Sequence, residues 1–348
     1  MICIDTEEFW KLRKRLSGIR NLNVPGYSRG MLFTILSQKK VDYVKRYYPR
    51  VTEKLDTLSE YWAREHRFPE WMKLTPVMRV RLLMKSLGLS KAEINRCLND
   101  PDRLLSEIDS KYCPEKVADE VWRALYTDYV YSPLASRHQR ARGLLGEEII
   151  KEWLSAKEIE FSTEKDLRGK FTKTPDFFFE EPVRVNGAHV RWIESKALFG
   201  DPKTHRVYSR KQFSVYREMF GEGMVVYWFG CVKDVGSENV LVTDVFSSTL
   251  KNALNDMIIY TAQLKKAEEL AEKLNARIIG LGCDAGDVKV EIGEDVKSVE
   301  FLKGVGEVID CYSMGRIILA DEERDWRKSV RKQVGWVLRN MGFSVVHA

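Results

Sequence analysis

The sequence predicts an α/β protein in which a mixed sheet flanked by helices follows an all-helical N-terminal region. Up to residue 132 apolar side chains recur at three- and four-residue spacings, which is the period of an amphipathic helix. The pattern then changes to one helix near 143–157 followed by short strand-like runs. A further helical segment near 205–220 divides these runs into two groups. This order of elements is typical of a layered α/β fold.

Five strand-like runs follow the helical N-terminal region. They lie at 159–163, 175–185, 189–198, 224–232 and 239–246. The last hundred residues contain another strongly periodic helix and further short strands, and no role follows from them. We therefore predict three domains: a basic helical domain over 1–132, an α/β domain over 133–250 and a C-terminal α/β extension over 251–348.

The N-terminal region contains a predicted pair of helices over residues 76–99. The first helix stops at Gly88, and Ser90 with Glu93 forms a capping-box pattern at the start of the second. This arrangement is compatible with a DNA-binding helix-turn-helix, but an ordinary helical hairpin with basic outer faces fits it equally well. The candidate nucleic-acid contacts of this pair are Arg79, Arg81, Lys85, Lys91 and Arg96.

Composition and charge narrow the class of protein. The chain has 348 residues, of which 44% are hydrophobic and 31% charged, as is usual for a soluble globular protein. Residues 1–100 hold 20 Lys and Arg against 11 Asp and Glu, a balance of +9, while the other 248 residues sum to −3. Such a basic region favours a polyanionic partner, although a solvated helical surface would look the same.

The sequence also indicates a compartment. No apolar run is long enough for a membrane span, and the N-terminus has no signal-peptide pattern. The six cysteines are scattered without a C-x-x-C spacing, which favours free thiols over disulfides or a structural zinc site. We expect a cytoplasmic protein, or a nuclear or cytoplasmic one if the source is a eukaryote.

Three charged residues stand in two strands that otherwise resemble core. In "TPDFFFEEPV", Pro175 keeps Asp176 at the start of its strand, and in "HVRWIESKAL" Glu194 and Lys196 share one face. Asn186-Gly187 is a good two-residue hairpin turn between these strands. Folding the hairpin would bring Asp176 beside Glu194 and Lys196.

Two carboxylates and one ammonium on adjacent strands are suited to metal-assisted hydrolysis. Carboxylate oxygens are ligands that Mg²⁺ and Mn²⁺ prefer, and such an ion activates water and polarises a phosphoryl oxygen. Lys196 would orient the attacking water or stabilise developing charge. Hydrolysis of a phosphodiester uses all three groups, whereas a structural salt bridge needs only two.

The spacing of these groups resembles a known superfamily. "TPD" followed eighteen residues later by "ESK" is similar to the PD-(D/E)xK nucleases, and the longer string "WIESKALFGD" resembles the TPD-motif family. In its core that family is similar to archaeal Holliday-junction resolvases. The resemblance covers roughly residues 1–250 and implies a restriction-endonuclease-like core.

The resemblance also implies further site residues. The family helix matches "GLLGEEIIKEWL" at Glu147, with Glu148 as the competing ligand, and Gly143 and Gly146 would allow close approach to the sheet. Gln212 matches a supporting glutamine. The implied catalytic set is Glu147, Asp176, Glu194, Lys196 and Gln212, and the implied metal ligands are Glu147, Asp176, Glu194 and the backbone carbonyl of Ser195. The implied cofactor is Mg²⁺, for which Mn²⁺ would substitute.

A basic, aromatic segment follows the motif. The family places a histidine where His205 stands, although a lone histidine is more often a surface or capping residue. Phosphate binding is favoured for the cations around it because a catalytic motif lies directly upstream. The candidate nucleic-acid contacts in this segment are Lys203, His205, Arg206, Arg210 and Lys211.

The sequence thus predicts a metal-dependent nuclease, an endonuclease rather than an exonuclease, that acts on nucleic acid. DNA is favoured over RNA by family analogy alone, and a preference for particular DNA structures stays open. The rival hypothesis is a nucleic-acid-binding or scaffold protein that kept the fold and lost turnover. Resolvases of the superfamily act as dimers, which leaves a homodimer open, and no membrane or protein partner is indicated.

Overall fold

The computed structural model describes residues 3–185, 187–235, 240–241, 246 and 249–348. By their internal contacts the residues form two compact units. The first unit comprises Met1–Leu36, Gln139–Met257 and Tyr312–Arg316, and the second comprises Ser37–His138, Ile258–Cys311 and Ile317–Ala348. The division into 1–132, 133–250 and 251–348 stays a prediction about domain organisation.

The helices of the described residues are numbered in chain order. They are α1 (Thr6–Arg15), α2 (Arg29–Thr52), α3 (Leu55–Glu65), α4 (Pro76–Ser86), α5 (Lys91–Asn99), α6 (Leu104–Glu107), α7 (Pro114–Thr127), α8 (Pro133–Ala156), α9 (Glu164–Leu167), α10 (Pro202–Tyr208), α11 (Ser214–Phe220), α12 (Thr249–Asp256), α13 (Leu264–Leu274), α14 (Val299–Cys311) and α15 (Val330–Asn340). A π-helical turn, Ser209–Phe213, joins α10 to α11.

The strands are likewise numbered in chain order. They are β1 (Cys3–Ile4), β2 (Ser162–Thr163), β3 (Phe177–Val185), β4 (Ala188–Lys196), β5 (Gly223–Tyr227), β6 (Cys231–Val232), β7 (Val240–Leu241), β8 (Ile258–Gln263), β9 (Arg277–Leu281), β10 (Val288–Val290), β11 (Ile317–Asp321) and β12 (Ser344–His347). The prediction of a mixed α/β protein is confirmed, while the restriction-endonuclease-like core stays a prediction.

The first unit is built on a five-stranded mixed sheet. Its strand order is β2-β3-β4-β5-β7, and β1 pairs with β6 in a separate two-stranded ladder. Strands β3 and β4 pair antiparallel from Phe177 opposite Ile193 to Val185 opposite Ala188, with a bulge between Phe178 and Val183. Strand β5 then adds parallel to β4. The predicted hairpin is confirmed by this pairing, although Asn186 itself lies outside the described residues.

The hairpin forms where the sequence offers a turn. Gly187 has a φ of 86°, a backbone conformation that favours glycine, and it directly precedes β4. The buried side of the hairpin carries large apolar groups, because Phe177, Phe179 and Ile193 are at most 3% exposed. Local turn geometry and the burial of these side chains therefore fix the register together.

Three predicted strands differ from the structure, and of the run 159–163 only Ser162–Thr163 forms a strand. The run 224–232 forms two strands, β5 and β6, because the chain turns at Trp228 and Phe229 before Gly230, whose φ is 90°. Most of the predicted strand 239–246 lies outside the described residues, and Val240–Leu241 is the part seen as strand.

Helix α8 is longer than the sequence pattern predicted. It begins at Pro133 rather than near residue 143, and the backbone N–H of Ala135 donates to Ser132 Oγ at 3.0 Å. A serine cap followed by proline at the first helical position is a regular way to begin a helix. This signal was present in the sequence and was missed.

The second unit contains a five-stranded sheet in which all strands run parallel. Its order is β10-β9-β11-β8-β12. Its strands are largely apolar, and β11 is buried along its whole length, as expected for a parallel sheet covered on both faces. Helices α3 to α7 of this unit contain the predicted helical pair.

The helical pair at 76–99 has the predicted boundaries to within a residue. Helix α4 ends at Ser86, α5 begins at Lys91, and Gly88 between them has a φ of 94°. The capping box is confirmed, because Ser90 accepts from the Glu93 N–H at 3.3 Å and the Glu93 carboxylate accepts from the Ser90 N–H at 2.6 Å. A DNA-binding role of this pair stays a prediction.

No helix within the described ranges is both long enough and apolar enough to cross a membrane.

Candidate active site

Strands β3 and β4 bring Asp176 and Glu194 together as predicted. Asp176 directly precedes β3, and Phe177 lies opposite Ile193, so Asp176 falls opposite Glu194. Its N–H donates to Glu194 Oε2 at 3.3 Å, and the Ser195 N–H donates to Asp176 Oδ2 at 2.7 Å. The two carboxylates are thus fixed by backbone groups of the opposing strand.

Lys196 completes this group. Its Nζ contacts Glu194 Oε1 directly, and the two side chains are only 13% and 3% exposed. The ammonium also lies 4.8 Å from the centre of the Tyr208 ring, which is a cation–π distance. Two carboxylates and one ammonium therefore share a largely water-excluded place at the end of β4.

Burial shifts the pKa values of these groups. Desolvation by burial, together with the charge of Asp176, raises the pKa of Glu194 to about 7. Desolvation likewise raises the pKa of Asp176, against the opposing charge of Lys196. Burial alone would lower the pKa of Lys196, but the charge and hydrogen bond of Glu194 raise it overall. The carboxylates of the site, when ionised, therefore carry more negative charge than the single ammonium of Lys196 neutralises.

Glu147 is turned toward this group from helix α8. Burial is the main cause that raises its pKa to about 7, and the charges of Asp176 and Glu164 add to it. Glu148, the alternative ligand, is exposed and forms an ion pair with Lys151 at 3.6 Å. The geometry favours Glu147 as the residue that faces the site.

The position of Glu147 depends on the glycine before it. A Cβ added at Gly146 would lie 2.3 Å from Trp228 Nε1 and 3.0 Å from Ser195 Oγ, so helix and sheet meet there closely. The same Trp228 nitrogen donates to Ser195 Oγ at 2.8 Å. The expectation for Gly143 is wrong, because no atom of the described residues lies within 4 Å of a Cβ added there.

Gln212 lies in the π-helical turn between α10 and α11. Its Oε1 is buried and has no hydrogen-bond partner in the part of the chain that the structure describes. Irregular turns of this kind are frequent at functional sites. The neighbouring Phe213 packs near Lys196, at 6.0 Å from its Nζ, which places the turn beside the proposed site.

The basic segment divides into exposed and buried groups. His205 is 9% exposed, and its Nδ1 lies 3.0 Å from the Tyr227 hydroxyl, so little of its ring is left for a phosphate. The four cations of the segment are all exposed to solvent, as phosphate contacts require: Lys203, Arg206, Arg210 and Lys211.

A loop beside Asp176 was not predicted from the sequence. The loop 168–175 is held against the helical segment because Tyr216 donates to the Thr174 carbonyl at 2.9 Å and Lys173 Nζ contacts the Lys211 carbonyl. Phe171, in this loop, is 40% exposed and packs edge-on against Phe220. The signal was the run of basic residues directly before the TPD motif, "KDLRGKFTKTPD".

The candidate contacts of the second unit are placed on its helical pair. Lys85, Lys91 and Arg96 are exposed. Arg81 is half-buried and donates to Asn95 Oδ1 at 3.2 Å, and Arg79 lies 5.0 Å from the Phe68 ring. The two arginines are therefore partly engaged in packing, and the three remaining cations are available to a polyanion.

The carboxylates of the site are of the type that binds Mg²⁺, although they are not arranged as a complete set of three ligands. Among the described residues no group of three His, Cys, Asp or Glu side chains could hold a metal ion. Mg²⁺ is commonly bound through one or two carboxylates while it keeps several waters. The Asp176 and Glu194 pair, desolvated and balanced by one ammonium, meets that requirement, and Glu147 lies near enough that the charge of Asp176 helps to raise its pKa.

Comparisons with known proteins relate the chain to one family. The family model described as "Protein of unknown function TPD sequence-motif" matches residues 114–246. CDAN1-interacting nuclease 1 of Mus musculus is 29% identical over 232 residues, 61% of this chain and 79% of the relative. The Xenopus laevis protein of the same name is 30% identical over 246 residues, 65% of this chain and 80% of the relative. No solved structure gives a significant match.

The α/β chain is thus related to proteins that are named nucleases. More particularly, the chain belongs to the TPD-motif family that includes CDAN1-interacting nuclease 1.

Proposed function

We propose that this protein is a metal-dependent nuclease that hydrolyses phosphodiester bonds in DNA, as an endonuclease. The observation that carries the proposal is the contact of Asp176 with Glu194 across β3 and β4, with Lys196 Nζ on the same carboxylate. The name of the relatives supports the same class of reaction. A structural role would not require two desolvated carboxylates beside a single cation.

The residues that would hold Mg²⁺ are Asp176, Glu194 and the backbone carbonyl of Ser195, with Glu147 acting through a water molecule. When bound, the ion supplies activation of water and neutralisation of charge on the phosphate. Mn²⁺ offers the same coordination chemistry and would substitute. The buried site would strengthen each of these interactions because the surrounding dielectric is low.

The remaining side chains position the reaction. Lys196 is held by Glu194 and by the Tyr208 ring, so its ammonium is fixed where it can orient a water or stabilise charge on the phosphate. Gln212 Oε1 is buried without a hydrogen-bond partner among the described residues, and from the π-helical turn it would support the metal site. The proton lost by the water would pass to a carboxylate or to solvent, and no covalent enzyme intermediate is needed.

The substrate would be held by phosphate contacts around the site. Exposed cations lie on both sides of the catalytic residues in sequence, in the loop 168–175 and in the helical segment after β4: Arg168, Lys170, Lys173, Lys203, Arg206, Arg210 and Lys211. Contacts of this kind fix the register of a nucleic acid without reading its sequence. A structure-selective enzyme is therefore more consistent with this surface than a sequence-specific one.

A cleavage assay on duplex, single-stranded, flap and four-way DNA tests the proposal. We expect wild-type protein to cut at least one substrate with Mg²⁺ or Mn²⁺ and none with EDTA. Lys196→Ala should bind the same substrate and cut it at least about a hundredfold more slowly. A wild-type rate for this variant, or binding without any cation-dependent cleavage by the wild type, would favour the non-catalytic hypothesis.

A further inference from the structure

A cavity in the second unit lies outside every residue assigned above. It has a volume of about 470 Å³ and is lined by residues of α7, α15 and the segment before α14, among them Trp122, Tyr126 and Trp336. Pockets of this size hold small ligands or single residues of a polymer.

The walls of the cavity are aromatic. Trp122 and Tyr126 stack at 6.0 Å with an interplanar angle of 14°, and Tyr126 meets Trp336 edge-on at 6.3 Å. Two of the rings are fixed, because Trp122 and Tyr126 are 3% and 2% exposed. Trp336 is 46% exposed, so part of its ring is available to a planar ligand.

The rim of the cavity carries charged side chains of both signs. Lys297 Nζ is paired with Asp119 at 2.7 Å, and Arg123 contacts the Glu120 carboxylate. Lys116 also lines the cavity, is exposed and has no ion-pair partner in the described part of the chain. Two further carboxylates lie close by, because Asp295 accepts from the Lys297 N–H at 2.9 Å and Asp102 accepts from Trp122 Nε1 at 3.3 Å. The cation that the rim offers to an anionic group is therefore Lys116.

His66 also lines the cavity and contributes a buried polar atom that lacks a hydrogen-bond partner among the described residues. It closes helix α3 in the left-handed conformation, with a φ of 48°, which is uncommon for a residue with a side chain. Its Nδ1 is buried and makes no hydrogen bond to any residue within the described ranges. A ligand with a polar edge would give this nitrogen a partner.

We propose that this cavity binds an unpaired nucleotide of a nucleic-acid strand. The base would stack on Trp336 and present its polar edge toward His66, while Lys116 would contact the adjoining phosphate. Aromatic rings that accept a base, set beside cations that accept its phosphate, are how proteins hold single strands without sequence preference. The open, charged rim suits a nucleotide that continues into a strand. This proposal does not depend on the hydrolytic activity of the first unit.

Fluorescence anisotropy of a labelled oligothymidine, measured on the whole chain in EDTA, tests this proposal. We expect Trp336→Ala to weaken binding about tenfold or more, and Trp336→Phe to retain most of the affinity. Trp10→Ala is the matched control, since Trp10 is 57% exposed and belongs to the first unit. It should bind as the wild type does.

Three results would overturn the proposal. The first is wild-type affinity in Trp336→Ala. The second is an equal loss of affinity of Trp336→Ala for blunt duplex of the same sequence. The bases of a duplex are paired and are not available to stack on Trp336, so the loss would then have another cause. The third is a loss of affinity in Trp336→Ala that is larger for thymidine monophosphate than for oligothymidine, which would indicate a site for a free nucleotide. Should Trp336→Ala lower the melting temperature, Lys116→Glu decides instead: weaker oligothymidine binding supports the proposal, and unchanged binding overturns it.

Discussion

At the scale of single residues, the site depends on which charged side chains are buried from solvent. Glu194 is 3% exposed, whereas Glu148, one residue from Glu147 in sequence, is exposed and paired with Lys151. The sequence pattern predicted Asp176, Glu194 and Lys196 because strand alternation and a hairpin turn are local rules. It could not separate Glu147 from Glu148, because that choice depends on how helix α8 packs on the sheet.

The two adjacent glutamates give a matched pair of variants. We expect Glu147→Gln to reduce the single-turnover cleavage rate about 10- to 100-fold, the usual cost of losing a group that acts on a metal site through water. Glu148→Gln should leave the rate within about twofold of wild type, since its side chain lies in solvent. Equal rates for the two variants, or a larger loss in Glu148→Gln, would contradict the assignment.

The raised pKa values predict how stability depends on pH. Burial raises the pKa of Glu147 and of Glu194 to about 7 from the ordinary value of 4.5, so the folded protein holds these protons more tightly than the unfolded chain. The resulting stability is fully present below about pH 4.5 and is lost as pH rises through about 7. Mg²⁺ binds the deprotonated carboxylates, so its stabilising effect should grow over the same range.

Melting temperatures at about pH 5 and about pH 8, with and without Mg²⁺, measure this effect. The gain from Mg²⁺ should be larger at the higher pH in wild type and in Glu148→Gln. It should be smaller in Glu147→Gln. A gain that is the same at both pH values, or that falls as pH rises, would show that these carboxylates do not take the ion.

At the scale of elements, close contact between helix α8 and the sheet holds Glu147 in place. The sequence indicated this through the G-x-x-G-E frame, but the expectation that both glycines allow close approach was wrong for Gly143, because the frame does not fix how the helix faces the sheet. Only Gly146 lies against Trp228 and Ser195. The π-helical turn that carries Gln212 was also not predictable, because its sequence has the same periodicity as an ordinary helix.

Substitution by alanine should have opposite effects at Gly146 and at Gly143. Gly146→Ala should lower the free energy of unfolding by about 1–3 kcal/mol, because the added methyl group would overlap Trp228, and it should slow cleavage by displacing Glu147. Gly143→Ala should be neutral or stabilise by about 0.4–1 kcal/mol, since open space surrounds it. Urea unfolding and cleavage rates check both. Equal effects of the two changes would contradict the packing of α8 on the sheet.

At the scale of the whole molecule, the charge distribution was predictable but the grouping of segments was not. The excess of +9 in residues 1–100 could be counted directly. Contacts such as Tyr126 with the Val296 carbonyl, at 2.7 Å, join residues far apart in sequence within the second unit. No local pattern indicates such a contact, because it depends on packing between segments whose own propensities are already satisfied.

The basic helical pair predicts a contribution to DNA affinity. Reversing Lys85, Lys91 and Arg96 to glutamate should weaken DNA binding more than tenfold at low salt and reduce the salt slope by roughly three. The same reversal at Lys265, Lys266 and Lys273, exposed on helix α13, changes the net charge equally and should have a smaller effect. Equal losses in the two triple variants would mean that net charge, and not this surface, sets the affinity.

The most direct test of the central claim is the single-turnover cleavage rate of Asp176→Asn in Mn²⁺, on the best substrate of the wild type. Asparagine can still accept the Ser195 N–H, so the fold of the hairpin should survive while the charge is lost. We predict wild-type DNA affinity and a cleavage rate reduced at least about a hundredfold, because a ligand of the proposed ion is removed. A variant that binds and cuts DNA at the wild-type rate would contradict the assignment of Asp176, Glu194 and Lys196 as the catalytic site.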